Sequence, residues 1–498
     1  MAADARQAPA LFDPSSFQRF RFTARDLDAR GRVTLRYALD KELSFEEVFE
    51  LPLADAAVAS GEARRGDVAT SPARELTGAE RGRVDGLLAL LHWVAGVSYF
   101  KAALPPAVEL ETGTPPPATA RLLEALYSDG LAELAYTNGL PGLPRPRFTG
   151  GASAARPGRA VAGSAQPASM PRGILVPVGG GKDSAVALEI VRRTSCELAL
   201  FSVGDAPPIA RTVAASGLPR VLVRRTLDPG LKALNDAGAF NGHVPITAIV
   251  SCVAALTAAL HGFDAVAMAN ERSASAGNVE WNGVHVNHQF SKGLRAERLL
   301  SAALAELAPA GPSPRGGFGE GDSREGVRVF SVLRPASELA VARAFARMER
   351  YHDAFTSCNA LFRSDPALRA SSWCCECPKC RFVFLALAPF SEPAQLRAIF
   401  GRDLLDEDEQ FEGFALLTAT GGHKPFECVG EEQESLAAMR LLARDRRWGA
   451  HRVVRRLAAE VLPRFAPGEG DPERVLALSD EHALPAALMT QVRAVLGA

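Results

Sequence analysis

Six consecutive residues carry the clearest chemistry in this chain: Gly179, Gly180, Gly181, Lys182, Asp183 and Ser184. They follow an apolar run at residues 173–178 (GILVPV) and open a helical stretch at residues 183–194. Three glycines let the backbone turn tightly and bring its N–H groups against an anion. The helix that follows aims its positive N-terminal end at the same point. Ser184 adds a hydroxyl, Lys182 a cationic charge, and Asp183 a carboxylate suited to a Mg2+ ion that bridges phosphate oxygens. The pattern is neither a Walker A loop, which places Ser or Thr directly after its lysine, nor the dinucleotide G-x-G-x-x-G. The bland alternative is a glycine-rich turn with no ligand, but strand, loop and helix all favour a phosphate site.

Further polar groups gather at other points. Phe201 and Ser202 end one apolar run, and Asn270, Glu271, Arg272 and Ser273 end another. His243 stands just ahead of a helix that opens at Pro245, where proline suits the first turn. His285, His288 and Lys292 lie in the polar stretch 275–292, followed by Arg334, Glu338, His352, Cys358 and Asn359. A lone histidine or asparagine in a loop is ordinarily structural. Their density on one side of the chain's sheet favours a polar substrate pocket. Four of the eight cysteines fall within seven residues, and Cys374, Cys377 and Cys380 form a C-x2-C-x2-C frame with Cys358 as a fourth thiol. Four such ligands suit a structural Zn2+; the alternatives are a reduced, buried set and a catalytic thiol.

These residues need a scaffold that presents them together. From residue 172 onward, nearly continuous apolar strands (173–178, 197–203, 220–225, 264–270) alternate with helices (183–194, 207–216, 245–261). That alternation predicts an α/β, doubly wound, mostly parallel sheet covered on both faces, with ligands at the carboxyl ends of its strands. A strand at 327–332 and a helix at 338–351 extend it. Residues 1–140 read as an N-terminal α+β domain with helices at 81–101 and 120–136, and residues 141–171 as a Pro/Gly/Ala-rich linker. The α/β domain that carries the glycine loop is expected to span 172–392, interrupted by a low-complexity insert at 308–325, and a mixed, helical region covers 393–498.

Composition narrows the setting. The 498 residues are 47% hydrophobic and 23% charged, with a net charge of −1. This balance argues against a broad nucleic-acid surface. The most apolar stretch, residues 86–100, contains His92 and falls short of the ~20 residues that cross a bilayer, so it reads as a core helix. The first residues lack the pattern of a secretory signal, and the clustered cysteines suit a reducing compartment; both point to the cytoplasm.

The loop GGGKDS resembles the SGG-x-DS loop of the PP-loop ATP pyrophosphatases, with Gly179 where that family carries its first serine. The resemblance implies that ATP is cut between its α- and β-phosphates and that the end of the strand at Phe201 seats adenine. The cysteine frame is similar to that of the 7-cyano-7-deazaguanine synthases, another PP-loop family. Beyond the loop, the segments NGHVPITAI, ANERSASAGNVEWNGVHVNHQFSK, SELAVARAF, FTSCNALF, CPKCRFVFLALAPF and GHKPFECVGE resemble the ATP-dependent UDP-N-acetylmuramoyl-L-alanyl-L-glutamate epimerases, the MurL family. That resemblance covers most of residues 172–432.

It implies conversion of UDP-MurNAc-L-Ala-L-Glu to the D-Glu epimer for peptidoglycan, with ATP going to AMP and pyrophosphate. The dipeptide would come from a ligase that adds L-Glu to UDP-MurNAc-L-Ala. Gly179 through Ser184, with Lys292, would hold ATP, Phe201 and Ser202 would lie at its adenine, and Asn270, Glu271 and Arg272 would face its phosphates; Asp183 would hold Mg2+; His243, His288 and Cys358 are the candidates for base and acid. The N-terminal domain is expected to help hold the UDP-sugar. The competing readings are another PP-loop enzyme, nitrile-forming or tRNA-modifying, and a module that binds ATP without cleaving it.

Overall fold

The run GILVPV forms a strand because nearly every side chain in it can be buried on one sheet face or the other. In the computed structural model, which describes residues 12–53, 78–148, 170–308, 326–362, 370, 372–419, 426–427 and 429–497, this run is the hub of the sheet. The strands are, in chain order, β1 (Arg19–Leu27), β2 (Arg32–Leu39), β3 (Leu43–Glu50), β4 (Ala107–Leu110), β5 (Gly173–Pro177), β6 (Glu197–Val203), β7 (Arg220–Thr226), β8 (Ala265–Met268), β9 (Val279–Trp281), β10 (Val284–Val286) and β11 (Arg328–Ser331). Nine of them form one sheet in the order β11-β8-β5-β6-β7-β3-β2-β1-β4, and β9 and β10 form a separate hairpin.

The five strands from β11 to β7 run parallel. The chain goes from β5 outward to β6 and β7 on one side, then returns to β8 and β11 on the other. The reversal opens a crevice at the carboxyl end of β5, where the glycine loop lies. Both faces are filled. Ile174, Val176, Leu200 and Ala267 point into one core with helices Lys182–Val191, Glu338–Phe345 and Pro378–Leu387. Leu175, Phe201, Val223 and Val266 point into the other core with helices Ile246–His261 and Gly78–Ala95.

The N-terminal strands continue this sheet. β3 pairs antiparallel with β7 through Val48–Thr226, Phe49–Arg225 and Glu50–Arg224. At that seam the Arg225 guanidinium donates to the fully buried Glu47 carboxylate at 2.6 Å and to Ser98 Oγ at 3.1 Å. β4 closes the far edge, parallel to β1.

Three helices expected as single units are divided. Residues 81–101 turn at Gly96 into helices Gly78–Ala95 and Val97–Phe100. A Cβ at Gly96 would lie 2.6 Å from the Phe22 ring and 2.8 Å from Tyr127 Oη, so the packed N-terminal core demands glycine there. Residues 120–136 break into Pro117–Tyr127, a 3-10 turn Asp129–Leu131 and helix Ala132–Thr137. Gly130 sits against Pro245 and Phe290 at the break. The helix at 338–351 ends at Phe345, and a 3-10 turn Glu349–Tyr351 follows, whose Tyr351 hydroxyl donates to Glu189 at 2.7 Å. Most of the expected linker and insert, residues 149–169 and 309–325, lie outside the described residues. No helix among the described residues is long and apolar enough to cross a membrane.

Candidate functional site

The glycine loop leaves β5 with its backbone braced from two sides. Gly180 adopts φ +80°, and a Cβ there would sit 2.7 Å from Pro208 backbone and side-chain atoms, so both conformation and space require glycine. A Cβ at Gly181 would meet Ser357 Oγ at 2.8 Å, and the Thr356 N–H donates to the Gly180 carbonyl at 2.9 Å. Gly179 is different: a Cβ there would meet nothing within 4 Å, so packing does not explain glycine in place of serine. Gly181 is the N-cap of helix Lys182–Val191 and offers no capping side chain, which leaves the helix's first N–H groups pointing at the crevice. Ser184 Oγ donates back to the Gly181 carbonyl at 3.0 Å.

Below the loop, the Lys182 ammonium is 1% exposed and bridges the carboxylates of Asp183 and Glu338. Glu271, at the end of β8, completes a trio with Asp183 and Glu338 whose oxygens lie within 4.8 Å of one another. Burial, reinforced by the charges of Glu338 and Asp183, pushes Glu271 up to about 7. Burial also works against ionised Asp183, but the cation of Lys182, with Lys379 and Lys292 behind it, holds its carboxyl below the ordinary value. Lys182 pays the same desolvation, yet Asp183 and Glu338 raise it well above its usual range.

A second carboxylate shell arrives from the C-terminal region. Glu434, 3% exposed, accepts from Ser273 Oγ, from the Glu338 N–H at 2.7 Å and from the Glu431 N–H at 2.6 Å. Burial first, then the neighbouring charge of Glu431, pushes it up to about 8. Arg334, also 1% exposed, donates to Glu297 at 2.8 Å, to the Glu271 carbonyl at 2.6 Å and to the Lys292 carbonyl, tying β8's end to the 3-10 turn Phe290–Lys292.

His243 and His288 pack with ring centroids 4.2 Å apart and planes tilted by 38°, too close for a substrate carbon to pass between them. Glu133, from helix Ala132–Thr137, meets His288 Nδ1 in a short hydrogen bond. Burial, helped by His288 and Lys292, lowers His243 to about 3, so its imidazole stays neutral. Lys292 also acts electrostatically on Asp183 and Glu271, so one cation bears on both the histidines and the carboxylate trio.

The four expected thiols converge. Cys358, Cys374, Cys377 and Cys380 place their sulfurs within 4.8 Å of one another, with Cys374–Cys380 at 3.7 Å and Cys377–Cys380 at 3.5 Å. A tetrahedral site with Zn–S bonds of ~2.3 Å requires sulfur separations of ~3.8 Å, so the set fits zinc. Hydrogen bonds from Cys377 and Cys380 lower Cys358 to about 3, which favours a thiolate there. Cys375 is the exception in the run: it takes φ +62°, donates to the Phe400 carbonyl at 3.4 Å, and burial raises it to about 11. The cluster adjoins the loop site. Cys358 follows Thr356 and Ser357, which touch Gly180 and Gly181, and Lys379, between two of the thiols, reaches Glu338 at 4.0 Å.

The remaining expected residues divide. Asn270 is buried at the crevice and donates to Ser331 Oγ at 3.0 Å. The buried Ser202 hydroxyl has no hydrogen-bond partner among the described residues, whereas the Phe201 ring lies wholly in the core. Arg272 turns away and donates to the Val475 and Ala477 carbonyls. Glu133, Lys379 and Glu434 escaped the sequence reading. Glu434 lies in a capping pattern at a helix start, Lys379 lies inside the cysteine frame, and nothing local marked Glu133.

Residues 11–312 match the family described as MurL N-terminal domain, and residues 354–470 match the MurL C-terminal domain. The chain is 39% identical over 487 residues to the UDP-N-acetyl-alpha-D-muramoyl-L-alanyl-L-glutamate epimerase of Xanthomonas oryzae pv. oryzae, covering 97% of this chain and 99% of that one. It is 43% identical over 474 residues to the protein of the same name from a Micromonospora species, covering 94% of this chain and 96% of the relative. A third, from Salinispora tropica, is 43% identical over 437 residues, or 86% of each chain. No solved structure matches.

Proposed function

The chain belongs to the MurL family of UDP-N-acetyl-alpha-D-muramoyl-L-alanyl-L-glutamate epimerases, and is thus an isomerase; from that premise we propose that it inverts the glutamyl residue of UDP-MurNAc-L-Ala-L-Glu by first activating the terminal carboxylate with ATP. The observation that carries this reading is the carboxylate trio Asp183, Glu271 and Glu338 with the cations Lys182, Lys292 and Lys379 at the mouth of the glycine loop. We read the central layer as a PP-loop pyrophosphatase fold on the same grounds.

Activation answers a chemical difficulty. The α-proton of a glutamate residue beside an ionised carboxylate resists removal, because the carbanion would adjoin a negative charge. In the proposed reaction a carboxylate oxygen attacks the α-phosphorus of ATP, pyrophosphate leaves, and the resulting acyl group withdraws electrons from the α-carbon. An ordinary side-chain base then takes the α-proton, and a proton is delivered to the opposite face. Water cleaves the mixed anhydride, releasing AMP and the D-glutamyl product.

The chain's own groups fit these tasks. Backbone N–H groups of Gly180, Gly181 and the uncapped helix would cradle phosphate, with Lys292 as the cation that balances its charge, while Lys182 pairs with Asp183 and Glu338. The trio's oxygens, one flank of which the Lys182 ammonium already bridges, suit a hard divalent cation, and Mg2+ would neutralise the departing pyrophosphate. His288, with Glu133 behind it, is the better proton acceptor of the histidine pair, since burial makes His243 a weak base. Cys358 belongs to the thiol cluster, which we assign to structural Zn2+.

Incubation with ATP, Mg2+ and UDP-MurNAc-L-Ala-L-Glu, with chiral analysis of the recovered glutamate, tests the proposal. D-glutamate with equimolar AMP is expected; epimerisation that proceeds at full rate without ATP sinks the activation step. Asp183→Ala should lower AMP formation by at least about 100-fold if its carboxylate holds the metal.

A further inference from the structure

A carboxylate that meets the histidine pair comes from far away in the chain. Glu133 lies in helix Ala132–Thr137 of the N-terminal region, 155 positions before its partner His288, and both side chains are 13% exposed. The helix follows the break at Gly130, where a Cβ would lie 3.2 Å from Pro245 and 3.6 Å from Phe290. Asn138 fixes its far end by donating to the Asn241 carbonyl at 3.0 Å, and Asn241 in turn accepts from the buried Lys101 at 3.1 Å. His288 is held from its own side by its backbone N–H, which donates to Asn278 Oδ1 at 2.9 Å. Both partners of the Glu133–His288 bond are thus anchored separately.

A carboxylate on Nδ1 has two chemical effects. It places the ring's proton on Nδ1, leaving Nε2 as the basic nitrogen, and it stabilises the imidazolium that forms when Nε2 takes a proton. Among the described residues, the charged and titratable groups facing His288 include Glu133 from the helix, His243 from the loop ahead of helix Ile246–His261, and Lys292 one turn on. His243 and Lys292 both disfavour a second positive charge, so Glu133 supplies the favourable one.

We propose that Glu133 is a positioning residue of the epimerase, which orients His288 and makes its Nε2 basic enough to move the glutamyl α-proton. The N-terminal region therefore completes the proton-transfer site. This rests on the assignment of proton transfer to His288.

The test follows deuterium from D2O into the glutamyl α-carbon of UDP-MurNAc-L-Ala-L-Glu by mass spectrometry, with first-turnover pyrophosphate release measured in the same reaction, for the full chain and for Glu133→Gln and Glu133→Asp. Glu133→Gln should slow wash-in by at least about 100-fold and slow first-turnover pyrophosphate release far less, because activation precedes proton removal. The acid limb of its wash-in profile should move to lower pH, since the imidazolium has lost its counter-charge. Glu133→Asp should recover part of the rate. Wash-in within about threefold of the parent with an unmoved acid limb overturns the proposal. So does an equal loss of wash-in and first-turnover pyrophosphate release with an unmoved limb, which would mark a structural role, or a transition metal held by the parent and lost from Glu133→Gln. Should the variants fail to fold, 15N spectra of the histidine-labelled parent decide: a proton on Nδ1 of His288 supports the assignment, and the Nε2–H tautomer defeats it. If the parent washes in deuterium without ATP, activation falls while the role of Glu133 stands.

Discussion

At the scale of single residues, the site places cations and carboxylates under burial that neither would tolerate alone. Lys182 between Asp183 and Glu338 has the pairing that a desolvated ammonium needs, and Arg334 plays the same part for Glu297 while also holding two backbone carbonyls. Lys379 extends this network into the cysteine frame. Cys358→Ser should therefore act twice. Metal analysis should show zinc falling from about one per chain to well under half, because a structural site needs its fourth thiolate. The Km for ATP should also rise, since Cys358 adjoins the residues that brace Gly180 and Gly181. A parent chain that holds no zinc after purification in metal-replete medium refutes the assignment.

At the scale of elements, the loop after β5 works because its neighbours leave no room for anything but glycine at two positions. Gly180→Ala would force both a left-handed backbone and contact with Pro208, at a cost of about 1–3 kcal/mol. Urea unfolding should register that loss, together with weakened ATP binding; an unchanged midpoint would contradict the tight fit. The sequence made these elements readable where local pattern and burial agree. β6 at Glu197–Val203 and helix Pro207–Ser216 begin and end where expected, because a continuous apolar run, two prolines at the helix start and the left-handed Gly217 at its end are all local signals. The breaks at Gly96 and Gly130 were not legible, because they answer to Phe22, Tyr127, Pro245 and Phe290, residues remote in sequence. The glycine loop and the four converging thiols are legible from spacing. Glu133 and Glu434 did not, since an acidic residue on an ordinary helix acquires its role only from what it meets in space.

At the scale of the whole molecule, one sheet carries the N-terminal layer and the parallel layer, and the site draws side chains from Glu133 to Glu434. Stability of the N-terminal layer therefore bears on activity. His92 lies there with no exposure, its Nε2 3.1 Å from the Arg36 carbonyl and its Nδ1 3.3 Å from Thr112 Oγ1. Burial lowers it from 6.5 to about 4. A depressed base contributes stability that is whole above its unfolded pKa and is lost as pH falls through the folded one. The window is thus pH 6.5 down to about 4, and the shift corresponds to about 3 kcal/mol at its lower end. His92→Gln should flatten the unfolding free energy across that window, and a slope equal to the parent's would remove His92 as its source.

The seam between β3 and β7 has a further consequence, for anyone who would cut the chain. Were residues 12–148 removed, β7 would lose its partner and present a bare row of N–H and C=O groups, with Arg225 stripped of Glu47. A fragment of that kind has a sticky margin and tends to assemble with its own copies. Supplied in trans, the severed N-terminal piece carries the matching strand, and the two halves have in β3 and β7 a ready means of finding each other.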